Sequence, residues 1–321
     1  MKAIALTILA AGILMGCGRG ASASAESTPA TPSVASSPTP FDADSAYAYV
    51  ERQVAFGPRV PGTSGHAACG DWLEGRMKEY ADTVISQRVT LRAFDGTPLP
   101  ARNIMARFNP QAPSRTLLLA HWDTRPWADN DPAQSNRDKP VPGANDGASG
   151  VGVLMEVARQ LRESGTQAGV DILFVDAEDY GSEDVEESWA LGARYFVQNP
   201  PVPGYVPARA VLLDMVGGEG SVFAREYFSQ NYAPQLLDSF WAAARDAGHA
   251  SLFSNETGPA ITDDHLEFIK AGIPAIDVIA FSPEGSFLPT WHTLQDDMAH
   301  ISRETLGAVG SSLMHWLSEL Q

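Results

Sequence analysis

The segment VDILFVDAED, residues 170–179, contains the pattern that decides the fold class. A short and almost uniformly apolar run ends abruptly in three acidic residues. Runs of this kind are typical of strands that are covered on both faces of a sheet. We therefore predict a strand at residues 170–175, and similar segments predict strands at residues 103–108, 116–120, 210–213 and 275–279.

Segments with helical spacing of their apolar residues alternate with these strands. They lie at residues 150–161, 189–197, 234–247, 264–271 and 302–320. Such alternation predicts an α/β fold, a three-layer sandwich in which helices cover both faces of a mixed, mostly parallel central sheet. In folds of this kind, ligands bind beyond the carboxyl ends of the strands.

Imidazole and carboxyl side chains follow the predicted strands where each one ends. TLLLA is followed by His121 and Asp123, DILFV by Glu178 and Asp179, and AVLL by Asp214, while the turn-rich PGANDGASG carries Asp146 into a helix. One strand that ends in Asp usually marks a cap or a turn. Several carboxylates brought together raise one another's pKa and cost stability, and a bound cation relieves that cost.

Mixed histidine and carboxylate ligands with almost no cysteine suit a catalytic Zn²⁺ ion, which keeps three protein ligands and one open position. Glu178 and Asp179 are adjacent at a strand end, where neighbouring side chains diverge. One of the two is then able to bind metal while the other stays free as a general base. The alternative is a group of surface carboxylates near a helix cap.

Seven segments occur in the same order as the motifs of one enzyme family. They are HWDTRPWADND, PVPGANDGASGVGVLMEVARQL, ILFVDAEDYG, SWALGARYF, LLDMVGG, TDDHLEFIKAGIPAIDVI and PTWHTLQDD. Together they closely resemble the glutaminyl cyclases, or glutaminyl-peptide cyclotransferases, and most of all the bacterial lipoprotein-type branch. The resemblance covers residue 41 to the C-terminus and implies the α/β fold of the zinc aminopeptidases.

The resemblance implies a set of metal ligands. Asp146, Asp179 and His292 match the three ligands of a single zinc ion, so one Zn²⁺ per chain is expected. Asp179 departs from the animal enzymes, which have Glu at the matching position; the shorter side chain is chemically competent. Glu178 matches the catalytic acid/base.

The resemblance also implies residues that contact the substrate. Asp214 and Asp263 match a hydrogen-bonded acidic pair near the reacting amide, and Trp291 matches an aromatic side chain that lines the substrate pocket. Asp277 is expected to join the acidic network. Three further tryptophans are candidates for the pocket wall: Trp122, Trp127 and Trp189.

The implied reaction is attack by the α-amine of an N-terminal glutamine on its own γ-carbonyl, which gives pyroglutamate and ammonia. The implied partners are peptides or proteins with N-terminal Gln. The main alternative is a di-zinc aminopeptidase, because His121 and Asp214 match positions that hold a second zinc in related aminopeptidases. A lipoprotein that only binds peptides is a third possibility, but a pure binder has no use for the free base Glu178.

Composition excludes one class of partner. The chain has 321 residues with 22 Lys and Arg against 39 Asp and Glu, so its formal net charge is −17. Binding to nucleic acid needs a basic face, and the sequence shows none. With 44% hydrophobic residues and 19% charged residues, the chain is able to bury a large core.

The N-terminus predicts export. Residues 1–17, MKAIALTILAAGILMGC, pair one lysine with a short apolar run and end in a lipobox-like LMGC, which predicts a lipoprotein signal peptide. A lipid on Cys17 would be the only membrane contact, and an outer-membrane anchor facing the periplasm or the cell surface is expected; plain secretion is the alternative. Residues 18–40 predict a flexible Ser/Ala/Pro tether, and residues 41–321 a single catalytic domain. Cys69 then has no disulfide partner and is interpreted as structural.

Overall fold

Apolar strands and amphipathic helices alternate along the part of the chain that the computed structural model describes, residues 40–182 and 184–320. The predicted signal peptide, residues 1–17, and all but the last residue of the predicted tether, residues 18–40, lie outside it. The strands of this part are β1 (Thr83–Arg92), β2 (Pro98–Phe108), β3 (Arg115–His121), β4 (Gly169–Val175), β5 (Arg209–Asp214), β6 (Val222–Arg225), β7 (Phe253–Thr257) and β8 (Ala275–Phe281). Its α-helices are α1 (Ala43–Val54), α2 (Ser64–Tyr80), α3 (Ala148–Ser164), α4 (Leu191–Gln198), α5 (Tyr227–Tyr232), α6 (Pro234–Asp246), α7 (Asp264–Lys270) and α8 (Arg303–Glu319).

The strands form one mixed sheet in the order β1-β2-β4-β3-β5-β8-β6-β7. Its centre is parallel, because β3 pairs in parallel with β4 and β5, and β5 pairs in parallel with β8. β1 and β2 are antiparallel to each other, β2 is antiparallel to β4, and β6 is antiparallel to β8. The carboxyl ends of β4, β3, β5 and β8 therefore meet at one edge.

Side chains alternate between two apolar cores, one on each face of the sheet. In β3, Leu118 and Ala120 belong to the larger core, whereas Leu117 and Leu119 belong to the smaller one, as the two-residue period of a strand requires. Residues of α1, α2, α3, α6 and α8 complete the larger core, and residues of α4 and α7 complete the smaller one. The predicted α/β class with helices on both faces is confirmed.

The predicted strands and helices all form; each strand is longer than predicted, whereas the helices other than α3 are one or two residues shorter. The elements that the sequence pattern does not predict are α1, α2, α5, β1, β6 and β7. β1 is a half-exposed edge strand whose sequence TVISQRVTLR lacks a continuous apolar run. α4 begins at Leu191 rather than at residue 189, because Ala190 adopts a left-handed conformation.

Two further features bear on the sequence predictions. The Cys69 thiol is buried and forms no disulfide within residues 40–182 and 184–320, in agreement with a structural role. None of the helices among the described residues combines the length and the hydropathy that crossing a membrane requires.

Candidate active site

A cleft of about 220 Å³ opens at the edge of the sheet where the parallel strands end. The residues that the resemblance assigns as metal ligands, acid/base, acidic pair and pocket aromatic all line this cleft: Asp146, Glu178, Asp179, Asp214, Asp263, Trp291 and His292. They come from the loops after β4 and β8, from the last residue of β5, from the turn before α3 and from the N-cap position of α7. This is the position that the α/β architecture predicts for a ligand site.

Three of these residues form a candidate metal centre. One ligand atom from each of Asp146, Asp179 and His292 lies within 4.8 Å of the other two. The His292 Nε2 atom lies 3.3 Å from Asp179 Oδ1 and 3.6 Å from Asp146 Oδ2. One imidazole nitrogen and two carboxylate oxygens are a donor set that Zn²⁺ accepts in catalytic sites.

The electrostatics of this cluster fit a cation. Burial raises the pKa of the Asp179 carboxyl, and the Asp146 carboxylate raises it further. Burial lowers the pKa of His292, but the surrounding carboxylates, Asp179 foremost, outweigh burial and raise it to about 9. A metal ion would supply the positive charge that these buried groups otherwise obtain from protons.

Unusual backbone conformations aim the site residues into the cleft. The φ angle is 56° at Ala177 and 49° at Met215, which each flank a site residue, and 55° at His292 itself. Gly147 follows a predicted ligand with φ of 96°, and a Cβ atom there would lie 2.4 Å from the Asp123 carbonyl oxygen. Left-handed conformations outside glycine cost free energy and are concentrated at functional sites.

Two buried carboxylates fix the main chain beneath the candidate ligands. Asp123 accepts hydrogen bonds from the backbone nitrogens of Glu178, at 3.1 Å, and Asp179, at 3.2 Å. Asp296 accepts one from the backbone nitrogen of Asp146, at 3.0 Å. Sequence reasoning assigned no role to Asp296, although it lies within the PTWHTLQDD motif, because its backbone partner is remote in sequence.

Glu178 offers a carboxylate that is free for chemistry. Its side chain is 7% exposed and lines the cleft, and no hydrogen bond joins its carboxylate to another described residue. Burial raises its pKa well above the ordinary value, and the Asp263 carboxylate adds to this effect. Such a group is able to take up a proton and return it, as general acid–base catalysis requires.

Asp263 belongs to a network of buried acids. Burial, followed by the charge of Asp214, raises its pKa to about 7. Asp277 is fully buried, and its pKa is raised well above the ordinary value by burial and then by Asp263. His265 lies behind it, with Nδ1 3.8 Å from Asp277 Oδ2 and Nε2 3.3 Å from Glu226 Oε2. The structure therefore places Asp277 where the sequence predicts it, in the acidic network.

His121 and Asp214 form a second cluster with Asp146. The His121 Nε2 atom lies 3.0 Å from Asp146 Oδ1 and 3.2 Å from Asp214 Oδ1. Burial lowers the pKa of His121, but its contacts with Asp123, Asp146 and Asp214 outweigh burial and raise it well above the ordinary value. This cluster therefore offers the same ligand types as the first one, at the position that a second cation would take in an aminopeptidase.

Aromatic rings form one wall of the cleft. Trp291 stacks on His292 with ring centroids 3.9 Å apart, and Trp189 lies parallel to His292 on the cleft lining. Trp122 is fully buried and does not line the cleft. Trp127 packs against the guanidinium of Arg125 and is also absent from the cleft lining. Of the three tryptophans named only as candidates, Trp189 is therefore the one with a direct place in the wall.

The fold and this site define a class. The model of Peptidase family M28 matches residues 103–317, and the chain belongs to that family. Glutaminyl cyclase from Bacteroides thetaiotaomicron, solved with N-acetylhistamine, is 48% identical, covers 88% of this chain and 99% of its own, and superposes with a TM-score of 0.86. Glutaminyl cyclase from Porphyromonas gingivalis is 47% identical with the same coverage and a TM-score of 0.85. The resemblance to bacterial glutaminyl cyclases is confirmed.

Proteins named as peptidases are also similar. A leucine aminopeptidase precursor from Bacteroides thetaiotaomicron is 48% identical, covers 88% of this chain and 98% of its own, and has a TM-score of 0.85. Aminopeptidase YwaD from Bacillus subtilis is 27% identical over 79% of this chain, which spans only 52% of that protein. Proteins named as aminopeptidases therefore occur among the relatives as well, and the residues of the site have to distinguish cyclisation from hydrolysis.

Proposed function

We propose that this protein is a zinc-dependent glutaminyl-peptide cyclotransferase that converts the N-terminal glutamine of peptides or proteins to pyroglutamate. The observation that carries the proposal is the free Glu178 carboxylate beside the cluster of Asp146, Asp179 and His292 in a small aromatic cleft. A base without a metal ligand role is what an intramolecular cyclisation needs. Similarity to bacterial glutaminyl cyclases supports the same conclusion.

Asp146, Asp179 and His292 are proposed to hold one Zn²⁺ ion per chain. When bound, the ion supplies a positive charge that polarises the γ-carbonyl group of the substrate glutamine. The three residues themselves are buried, since each of them is at most 5% exposed. Low exposure strengthens every electrostatic contact in the cleft.

Glu178 is proposed to move the proton. A bond forms between the α-amine nitrogen and the γ-carbonyl carbon, and the bond from that carbon to the amide nitrogen breaks. Glu178 accepts the proton that the attacking amine loses and donates it to the departing amide nitrogen, which leaves as ammonia. No external nucleophile is consumed, because both reacting groups belong to one residue, and correct positioning supplies much of the acceleration.

Asp214 and Asp263 are proposed to hold the amine and amide hydrogens of the substrate. Both carboxyls line the cleft, and their pKa values are raised, first by burial. Protons shared within this network let one group accept a hydrogen bond while its neighbour donates one. Trp291 covers the folded glutamine side chain with an apolar surface.

Hydrolysis of N-terminal residues is the second candidate function. The cluster of His121, Asp146 and Asp214 favours it, because Asp146 is shared with the first cluster and a bridging carboxylate is what two adjacent metals need. The Trp291 ring stacked on His292 and the similarity to several bacterial glutaminyl cyclases favour cyclisation instead.

Mass spectrometry distinguishes the two functions when the protein is incubated with peptides that begin with Gln or with Leu. The proposal predicts loss of one ammonia from the Gln peptide and an unchanged Leu peptide. Release of free leucine without loss of ammonia would establish the aminopeptidase instead.

Export and lipid attachment at Cys17 are also proposed, with residues 41–321 as the catalytic domain and membrane contact only through the lipid on Cys17. The support is the sequence alone. Expression in a bacterium with radiolabelled palmitate tests this proposal, because the wild-type chain should take up label and fractionate with the outer membrane. Cys17→Ser should remove both properties; label on the variant would contradict the assignment.

A further inference from the structure

One buried arginine connects two of the candidate metal ligands. Arg125 lies in the loop that follows β3, and its side chain is 2% exposed. The guanidinium lies between the rings of Trp127 and Trp189, with its Cζ atom 5.2 Å and 5.0 Å from their centroids. Burial of a charge between two aromatic faces fixes its position and leaves its hydrogen-bond donors in one plane.

Arg125 contacts a candidate ligand directly. Its Nη1 atom donates to the carbonyl oxygen of Asp179 at 3.2 Å and lies 3.5 Å from Asp179 Oδ1. The same atom donates to the carbonyl oxygen of Gly181 at 3.3 Å. The guanidinium therefore fixes both the main chain and the carboxylate of Asp179.

Arg125 reaches the histidine ligand through a second carboxylate. Its Nε and Nη2 atoms donate to Asp129 Oδ1 at 2.8 Å and Oδ2 at 2.5 Å, a bidentate pair. Asp129 Oδ1 lies 3.5 Å from His292 Nδ1 on the other side. The His292 Nε2 atom meanwhile faces the carboxylates of Asp146 and Asp179.

A carboxylate opposite Nδ1 favours the tautomer in which Nδ1 carries the hydrogen. The Nε2 lone pair is then directed at the metal position. Metal-binding histidines generally have such a partner on their second nitrogen, and its removal weakens metal affinity.

We infer that Arg125 and Asp129 are positioning residues of the metal centre, and that together they set its affinity for Zn²⁺. Asp129 orients His292, and Arg125 holds Asp129 and Asp179 in register with each other. This inference depends on the proposed zinc site, but it assigns roles to two residues that the ligand set does not include.

The test is zinc affinity of the full chain, measured by competition with a chromogenic chelator. Asp129→Asn keeps the size of the side chain and removes its charge, and Arg125→Met removes the fork but keeps the apolar stem. Both variants should bind zinc about 10- to 100-fold more weakly than the wild type. Arg125→Lys should also bind more weakly, because one ammonium group cannot replace the bidentate pair.

Arg115→Met is the matched control. Arg115 is a mostly buried arginine at the start of β3, the end of the strand that is remote from the cleft. It donates to the buried carboxylate of Asp171 in β4. Its loss should lower the free energy of unfolding but leave zinc affinity unchanged, which separates a positioning role from a general loss of stability. Circular dichroism of each variant verifies that the fold is retained.

Each result has a definite meaning. Zinc affinities of Asp129→Asn and Arg125→Met within about twofold of the wild type would overturn the inference while the proposed function stands, since an affected site loses about tenfold or more. Equal weakening in Arg115→Met would overturn it as well. A wild-type chain that binds no zinc would overturn both the inference and the proposed zinc site.

Discussion

Gly192→Ala tests whether α4 is packed as closely against the sheet as the structure shows. A Cβ atom at residue 192 would lie 2.0 Å from the carbonyl oxygen of Asp176 and 2.8 Å from Asn103 Oδ1. Real Cβ contacts below 3.0 Å essentially never occur, so the helix must retreat by about 1 Å. The obstacle is backbone, so no change of rotamer relieves it. Overpacking costs about 3 kcal/mol at the upper end of its range, and the better helix propensity of alanine returns about 1 kcal/mol.

The same displacement should reach Glu178, the proposed catalytic base. The backbone nitrogen of Ala190 donates to the carbonyl oxygen of Glu178 at 3.2 Å, and that of Leu191 donates to Ala177 at 3.2 Å. These two bonds tie the start of α4 to the loop that carries Glu178. A misplacement of about 1 Å in a catalytic group costs on the order of 100-fold in rate, so kcat should fall by about 10- to 100-fold.

Urea unfolding followed by tryptophan fluorescence, at a fixed zinc concentration, measures the stability change. Gly192→Ala should lower the free energy of unfolding by about 2 kcal/mol. Gly75→Ala is the control, because Gly75 lies on the exposed face of α2 and an added Cβ meets no atom within 4 Å. That variant should gain about 0.5 to 1 kcal/mol with normal turnover. Wild-type stability and turnover in Gly192→Ala would refute the packing argument.

Three other predictions concern the proposed base, a proposed metal ligand and the buried thiol. Glu178→Gln should keep zinc content and substrate binding but lose at least about 100-fold in turnover, and normal cyclisation by this variant would disprove the base assignment. His292→Ala should lose bound zinc in elemental analysis, and a full zinc complement would exclude His292 as a ligand. Burial raises the pKa of the Cys69 thiol from about 9 to about 12. Between these pH values the unfolded state loses a proton that the folded state keeps. The free energy of unfolding should therefore fall as the pH rises through that range, by at most about 1.4 kcal/mol per pH unit. Urea titrations at several pH values should show a smaller decline in Cys69→Ala, and an identical decline would contradict this assignment.

The sequence predicts the central layer of the fold because burial on both faces leaves a strong local signal. The residues of β3, β4 and β8 are all buried, and their segments contain few polar side chains. β1 has no such signal, since all of its residues are half-buried or exposed. Its partner β2 is also separated from it only by a short turn, so the pairing leaves no apolar run in β1 itself. α2 likewise has too weak a segregation of polar and apolar residues to be recognised.

Residue order alone predicts only those site residues that lie at the ends of strands. His121 and Asp214 stand directly after apolar runs and Glu178 follows one within three residues, so their convergence follows from a parallel sheet. His292 lies in a loop after β8, and only family resemblance identified it. The role of Arg125 depends on contacts with residues from other loops, which no spacing in the sequence reveals.

Anomalous diffraction from crystals of the zinc-loaded protein, recorded on both sides of the zinc absorption edge, tests the central claim most directly. The account predicts one zinc peak per chain in contact with Asp146, Asp179 and His292, with the Glu178 carboxylate outside the coordination sphere. A zinc ion bound by Glu178, or the absence of a common peak at the three ligands, would contradict it.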